Sequence, residues 1–463
     1  MSSLRVITCV LFLSSLSLSQ VGFKKSGYDT TNFNGSVAVG DFNGDGYPDI
    51  VALDGPHGQL TIDRNNGDGT FARTAQYSIS TLENSGWVQT ADFDGDGKLD
   101  LVFWVAFSQQ MELWHGNGDG TFKFWKDVPN LVGPPLTVQL TDVNKDGAVD
   151  LVALECEDGR DTTCFAKVYL NDKLGNFTPT DGPSIAKVMD MVVADFNGDG
   201  KPDIIISVYG PEMMLALYPG NGDGTFGPLI SSPTTSAGAL TVGSFNKGDA
   251  ALDIAISSPP TVSVYLNNGK GSFGLRSKPA AGSQVFALAA GPVNGDGYQD
   301  LLAVNTDFDT QIGNLQYLLG QGNGYFNSPV KINYSFTSPG APVIRDLSLN
   351  GRHDIVVPAG ATYILTNTNA AITCAPPAVA GLAAKFCTQV QPSIVSQTVR
   401  ISGNSPVGVA RMELWIDGKK SYGLWSDQLS LNITLAPGPH RIAAVAVDQF
   451  GHYAESVQLV TVP

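Results

Sequence analysis

The chain has 463 residues with Lys+Arg 27 against Asp+Glu 43, a formal net charge of -16, and its length exceeds one ordinary domain. Seven of the acidic residues are Glu and the remaining 36 are Asp, beside 52 Gly, a bias toward tight turns and hard-cation loops and away from helices. So acidic a surface repels phosphate and excludes nucleic acid as a partner, while 43% hydrophobic residues argue against disorder.

At the N-terminus Arg5 precedes the apolar run 6–13, and Ser17-Leu18-Ser19 follows before Gln20. That order is the pattern of a secretory signal peptide over 1–19, and the run is too short to span a bilayer. An exported chain is expected, and export permits disulfides. Cys9 falls in the signal, leaving Cys156, Cys164, Cys374 and Cys387; three connectivities are formally possible, and short loop closure favours the two local pairs.

A ten-residue signature then returns through most of the chain. DFNGDGYPDI starts at Asp41, DFDGDGKLDL at Asp92, DVNKDGAVDL at Asp142 and DFNGDGKPDI at Asp195. Weaker copies start at Ser244, Pro292 and Asp346, so the period is about fifty residues. Each copy lies between two short apolar runs rich in β-branched residues, which reads as the loop of a β-hairpin. A second signal follows six of them: NNGDGTF ending at Phe71, GNGDGTF at Phe122 and Phe226, DKLGNF at Phe177, NNGKGSF at Phe273 and GQGNGYF at Phe326. Asn-Gly and Asp-Gly between apolar runs mark a turn that needs positive φ.

Each repeat therefore holds four strands in the order strand, acidic loop, strand, connection, strand, glycine turn, strand, as in a β-propeller blade. Seven acidic loops predict an all-β, seven-bladed propeller over 20–370. The seventh repeat lacks a fourth strand, and the segment 21–30 is expected to supply it and close the ring.

In loop one Asp41, Asn43, Asp45 and Asp49 put side-chain oxygens at positions one, three, five and nine, with Gly46 at six. This spacing predicts an oxygen cage for a hard cation, Ca²⁺. Loop two offers Asp92, Asp94, Asp96 and Asp100, loop three Asp142, Asn144, Asp146 and Asp150, and loop four Asp195, Asn197, Asp199 and Asp203. Loop five starts with Ser244, carries an extra residue and keeps Asn246, Asp249 and Asp253, which reads as a plain turn. Loop six keeps Asn294, Asp296 and Asp300, and loop seven Asp346, Ser348, Asn350 and Asp354, both as weaker candidate sites. The single Asp of each GDGTF sequence reads as part of its turn.

On these motifs the repeats resemble FG-GAP/VCBS repeats, the blades of the integrin α-chain propeller. The resemblance implies that the acidic loop between the first two strands of a blade binds calcium.

The stretch 371–389, with Cys374 and Cys387, suits a linker. Over 390–463 short alternating runs predict a small β-sandwich that resembles bacterial immunoglobulin-like domains. His57, His115, His353, His440 and His452 stand in unrelated contexts, and neither GxSxG nor HExxH occurs. No catalytic residue is assigned. The expectation is a secreted, monomeric, calcium-binding module for an extracellular protein, with a glycan-binding lectin and an extracellular hydrolase or lyase as the alternatives. The face opposite the acidic loops would do the binding, through the loop between Cys156 and Cys164, the segment 305–314, and Trp87 and Phe107 if these are not core. Sequons at Asn34, Asn176, Asn333 and Asn432 matter only in a glycosylating host.

Overall fold

A computed structural model describes residues 21–28, 35–54, 57–79, 86–105, 109–131, 133–156, 163–246, 251–294, 298–307, 310, 312–348, 352–368, 383–386, 396–404, 409–417, 419–424, 428–435, 437–448 and 453–462. Every element among them is a β-strand. The signal sequence, Phe107, Asp249, Asp296, Asn350, Cys374 and Cys387 lie outside the described residues.

Seven antiparallel sheets follow one another along the chain. Blade 1 takes Ser36–Gly40, Asp49–Asp54, Gln59–Asn65 and Phe71–Ser78; blade 2 takes Val88–Ala91, Asp100–Val105, Gln110–Gly116 and Phe122–Val128. Blade 3 takes Pro135–Thr141, Asp150–Cys156, Thr163–Asn171 and Phe177–Thr180, with a short fifth strand, Ser184–Ala186, also paired to its third. Blade 4 takes Val188–Ala194, Asp203–Val208, Met214–Tyr218 and Ile230–Pro233; blade 5 Leu240–Gly243, Asp253–Ser258, Thr261–Asn267 and Phe273–Ser277; blade 6 Val285–Gly291, Asp300–Asp307, Ile312–Leu318 and Val330–Thr337. Blade 7 has only Val343–Arg345, Asp354–Pro358 and Thr362–Asn367 from its own repeat. Its fourth strand is Phe23–Tyr28, which runs antiparallel to Thr362–Asn367 with Phe23 opposite Asn367.

The second strand of each blade reads as a near-continuous apolar run because both of its faces are covered. Asp49–Asp54 and Asp203–Val208 are buried at every position. Fourth strands lie at the rim and alternate, as Phe71–Ser78 does with its mostly exposed face. The core accordingly divides into seven layers, one at each junction between blades. Val51, Leu53 and Ile62 of blade 1 pack with Leu101, Phe103 and Trp114 of blade 2, and the series ends with Val356 and Ile364 of blade 7 against Val39, Ile50 and Phe71 of blade 1. That last layer closes the ring.

Side chains on the innermost strands stitch successive blades together. Ser36 accepts from the Val88 N–H at 3.2 Å, Gln89 donates to the Val138 carbonyl at 2.7 Å, and Asp190 accepts from the Leu240 N–H at 2.8 Å. The closing strand is tied to blade 6 as well as blade 7: the Val21 N–H donates to the Tyr317 hydroxyl at 3.0 Å. Lys25 Nζ lies 3.8 Å from the Tyr363 ring centroid and 4.4 Å from that of Phe336.

The C-terminal strands form a three-stranded sheet (Ala383–Phe386, Ser396–Asn404, Gln428–Thr434) and a four-stranded one (Val409–Ile416, Lys419–Leu424, Gly438–Asp448, Tyr453–Val462). They share one core that includes Val399, Ile401, Met412, Leu414, Ile442 and Val460. One correction falls on the stretch read as a linker. Ala383–Phe386 is a strand paired to Ile401–Asn404, so β-structure begins inside 371–389. Four residues are too few to show a periodicity, and only the distant partner strand defines them.

Candidate functional site: the acidic hairpin loops

Each acidic loop joins the first strand of a blade to the second, and the residue at position nine, displaced by one in the longer loop five, is already in the sheet. Gly40 pairs with Asp49, Ala91 with Asp100, Thr141 with Asp150, Ala194 with Asp203, Gly243 with Asp253, Gly291 with Asp300 and Arg345 with Asp354. These seven carboxylates are at most 1% exposed, and all seven do the same thing. One oxygen accepts the N–H of loop position two: Phe42 (3.0 Å), Phe93 (2.9 Å), Val143 (2.9 Å), Phe196 (2.9 Å), Phe245 (2.8 Å), Val293 (2.8 Å) and Leu347 (3.2 Å). The other accepts an N–H where the third strand ends: Asn65 (2.8 Å), Gly116 (2.8 Å), Asn171 (2.7 Å), Gly220 (2.8 Å), Asn267 (2.9 Å), Gly320 (2.8 Å) and Asn367 (2.8 Å). Position nine is thus a buried staple between the acidic loop and the third strand, in every blade.

The residue at the end of the third strand alternates around the ring. Asn65, Asn171, Asn267 and Asn367 reach back to the preceding blade, their Nδ2 donating to the position-two carbonyls of Leu347 (2.6 Å), Phe93 (2.8 Å), Phe196 (2.7 Å) and Val293 (2.9 Å). Blades 2, 4 and 6 have glycine there. A Cβ on Gly116 would lie 2.0 Å from the Leu99 carbonyl oxygen, and one on Gly220 2.0 Å from that of Pro202. In blades 2 and 6 the glycine turn does the reaching, with the Gly120 N–H donating to Phe42 O at 2.9 Å and the Gly324 N–H to Phe245 O at 2.8 Å. The phenylalanines that end these turns wedge against the preceding acidic loop: Phe122 on Phe42, Phe177 on Phe93, Phe273 on Phe196 and Phe326 on Phe245, all edge-to-face at 5.4–6.0 Å.

Above this staple sit the remaining candidate ligands of loops one to four. Asp41 accepts from the N–H groups of Gly44 (2.8 Å) and Gly46 (2.8 Å), and Asp92 from those of Gly95 (2.8 Å) and Gly97 (2.9 Å). Asp195 does the same with Gly198 (2.7 Å) and Gly200 (2.9 Å), and Asp142 accepts from Gly147 (2.9 Å). Gly46 at φ 90° shows why glycine stands at position six. Asn43, Asp94, Asn144 and Asn197 each take the N–H two residues on, at position five. Asp45, Asp96, Asp146 and Asp199 in turn accept from Tyr47, Lys98, Ala148 and Lys201. The ligand oxygens of Asp92, Asp94 and Asp100 lie within 4.8 Å of one another.

Burial pushes the carboxyls of Asp49, Asp100 and Asp150 up to about 7 and that of Asp203 to about 6, and neighbouring loop carboxylates add to the shift while backbone N–H donors oppose it. Burial also raises Asp41 and Asp92. The donor set fits a hard divalent ion. The loops supply oxygen donors throughout, and a divalent charge would relieve the crowding of carboxylates.

In the weaker loops Asn294 donates its own N–H to Asp300 at 3.2 Å, Asp346 is buried, and Asp354 is raised by burial. Asp253 of loop five is stapled like the rest, so the staple does not depend on the full ligand pattern. The GDGTF aspartates cap their own turns: Asp68, Asp119 and Asp223 accept from the hydroxyls of Thr70, Thr121 and Thr225, which hold their carboxyls below the usual range.

On the opposite face Cys156 and Cys164 are opposite one another in the sheet and joined by a disulfide. Trp87 is partly buried and packs on the core between blades 2 and 3. Asn305 is buried, donating to the Ala281 carbonyl at 2.9 Å.

The molecule is therefore a seven-bladed β-propeller with a repeated acidic hairpin loop on one face. Residues 41–103, 142–206 and 247–303 match the FG-GAP-like repeat model, and 189–225 match the FG-GAP repeat model. The chain is an FG-GAP repeat β-propeller protein. Among curated proteins it is similar to the T-cell immunomodulatory protein homologs of Plasmodium yoelii yoelii (30% identity over 136 residues, 25% of this chain and 19% of the relative) and Plasmodium falciparum isolate 3D7 (32% over 133 residues, 25% and 18%). The match spans about a fifth of those relatives' length. Among solved structures it overlaps the Dos1 propeller (11% identity, TM-score 0.45, 75% of this chain and 95% of that one) and a protein from Lactobacillus plantarum (14%, TM-score 0.44, 64% and 84%).

Proposed function

We propose that this chain is an exported, calcium-binding propeller that works as a non-catalytic binding or adhesion module for an extracellular protein or surface ligand. The carrying observation is the recurrence, in four successive blades, of the same all-oxygen loop above the same buried staple. Calcium in this reading is structural: it offsets the loop carboxylates and stiffens the hairpins, so that the connections on the opposite face are held in fixed positions.

The test is a thermal melt of the mature chain in excess Ca²⁺ and in chelator, with bound metal counted by native mass spectrometry. A large upward shift with four or more ions supports the reading. No bound ion and an unchanged melt would sink it. Calcium-loaded protein is then presented to arrays of extracellular proteins and of glycans. Binding confined to glycans would replace the protein-ligand reading by a lectin.

A further inference from the structure

Loop two has an imidazole nitrogen beside its outer carboxylates. His115 is next to last in the third strand of blade 2, and its Nε2 lies 3.0 Å from Asp94 Oδ2 and 3.5 Å from Asp96 Oδ2. The other oxygen of each carboxylate already accepts a loop N–H, from Asp96 and Lys98 respectively. The two oxygens that the backbone leaves over therefore converge on one imidazole nitrogen. The three ligand atoms lie within 4.8 Å of one another, and Asp94 also belongs to the trio with Asp92 and Asp100.

The ring is oriented from outside the loop. Trp125 meets it edge-on, with centroids 5.5 Å apart and planes at 88°. Trp125 is itself seated on the glycine turn of blade 3, where a Cβ on Gly175 would come within 2.3 Å of the indole. The other blades have Arg64, Leu170, Pro219, Leu266, Leu319 and Thr366 at the position of His115, and no nitrogen ligand among them. Imidazole is foreign to a calcium cage and suits d-block divalent ions, for which a mixed nitrogen and carboxylate set is a common environment.

We propose that loop two is a d-block metal site, holding a Zn²⁺-class divalent ion through His115 Nε2, Asp94 and Asp96, with water completing the coordination. Lys98, whose Nζ is 2.8 Å from Asp96 Oδ2 and whose side chain is largely solvent-exposed, swings out on binding. The inference shares Asp94 and Asp96 with the calcium reading but does not rest on it.

Co²⁺ is the probe, titrated into the untagged full chain in chelator-treated buffer and followed by its d–d absorption and by hyperfine-shifted imidazole protons in NMR. One Co²⁺ per chain with a shifted histidine signal is expected, weakened about tenfold or more in His115→Gln. Native mass spectrometry in calcium alone should give the same Ca²⁺ count for wild type and variant. Co²⁺ binding of equal strength in both proteins, or none in the wild type, would overturn the site. A Ca²⁺ count of zero in both would overturn the calcium reading and leave the cobalt result to be judged by itself.

Discussion

Blades 1–4 and blades 5–7 carry the same hairpin with different loops. In the first group positions one, three, five and nine all bear carboxylate or amide oxygens; in the second, position one is Ser244, Pro292 or Asp346 and the pattern is thinned. Yet the position-nine aspartate is equally buried and makes the same two backbone bonds in both groups. The comparison separates two roles that one motif merges. The last aspartate builds the blade, and the earlier ones are an addition to it that four blades keep in full.

The sharpest break of this comparison is to remove the staple from one blade of each group. Asp100→Ala and Asp253→Ala each orphan two buried N–H donors, a loss of about 3 kcal/mol and a fall in Tm of about 6 °C or more. The fall should be of similar size in both and should persist in chelator. If Asp253→Ala melts like wild type, blade 5 is not held in this way. A smaller effect is expected from pH in chelator. The raised carboxyls of Asp49, Asp100, Asp150 and Asp203 keep their protons in the folded chain to about pH 6–7, while in the unfolded chain they lose them near 4. The folded state then binds more protons between those limits, so metal-free stability falls as pH rises from about 4 to 7, and melts at pH 5 and pH 8 should show it. Saturating Ca²⁺ should flatten this slope, and a metal-free melt that rises with pH contradicts it.

Loop ligands are predicted to divide differently from staples. Asp92→Asn should lower the calcium count by one and leave the chelated melt within about 2 °C of wild type, since no apolar core is disturbed. The smallest expected effect is at the closing strand. Lys25→Met removes a cation held over the Tyr363 and Phe336 rings, worth about 1 kcal/mol, and calorimetry of the chelated protein should resolve it.

Much of this was legible in the chain because the repeat sits in register: Asp41, Asp92, Asp142 and Asp195 recur with their glycines, and short apolar runs flank them. The position-nine aspartates were legible as oxygens and not as staples, since a metal ligand and a backbone acceptor call for the same side chain. Phe71, Phe122 and their equivalents read as the ends of turns, while their work is done across a blade junction that only the folded ring brings together. The alternation of Asn65, Gly116, Asn171 and Gly220 was visible as letters at a fixed offset before each glycine turn, but its meaning depends on the preceding blade's carbonyl. His115 could have been found from the same offset, as the one imidazole in that column. Trp87, read as a contact residue or core, is partly buried on core.

That alternation has a consequence for how the blades are ordered. Asparagine and glycine take turns from blade 1 to blade 7, and an odd-membered ring cannot alternate all the way round. One junction must join like to like, and it is the one between blades 7 and 1, where Asn65 clasps Leu347 and where the N-terminal strand completes the neighbouring sheet. The blades are therefore not interchangeable parts: moving one of them to a different place would either carry the single mismatched junction away from the seam at which the chain fastens on itself or add two more.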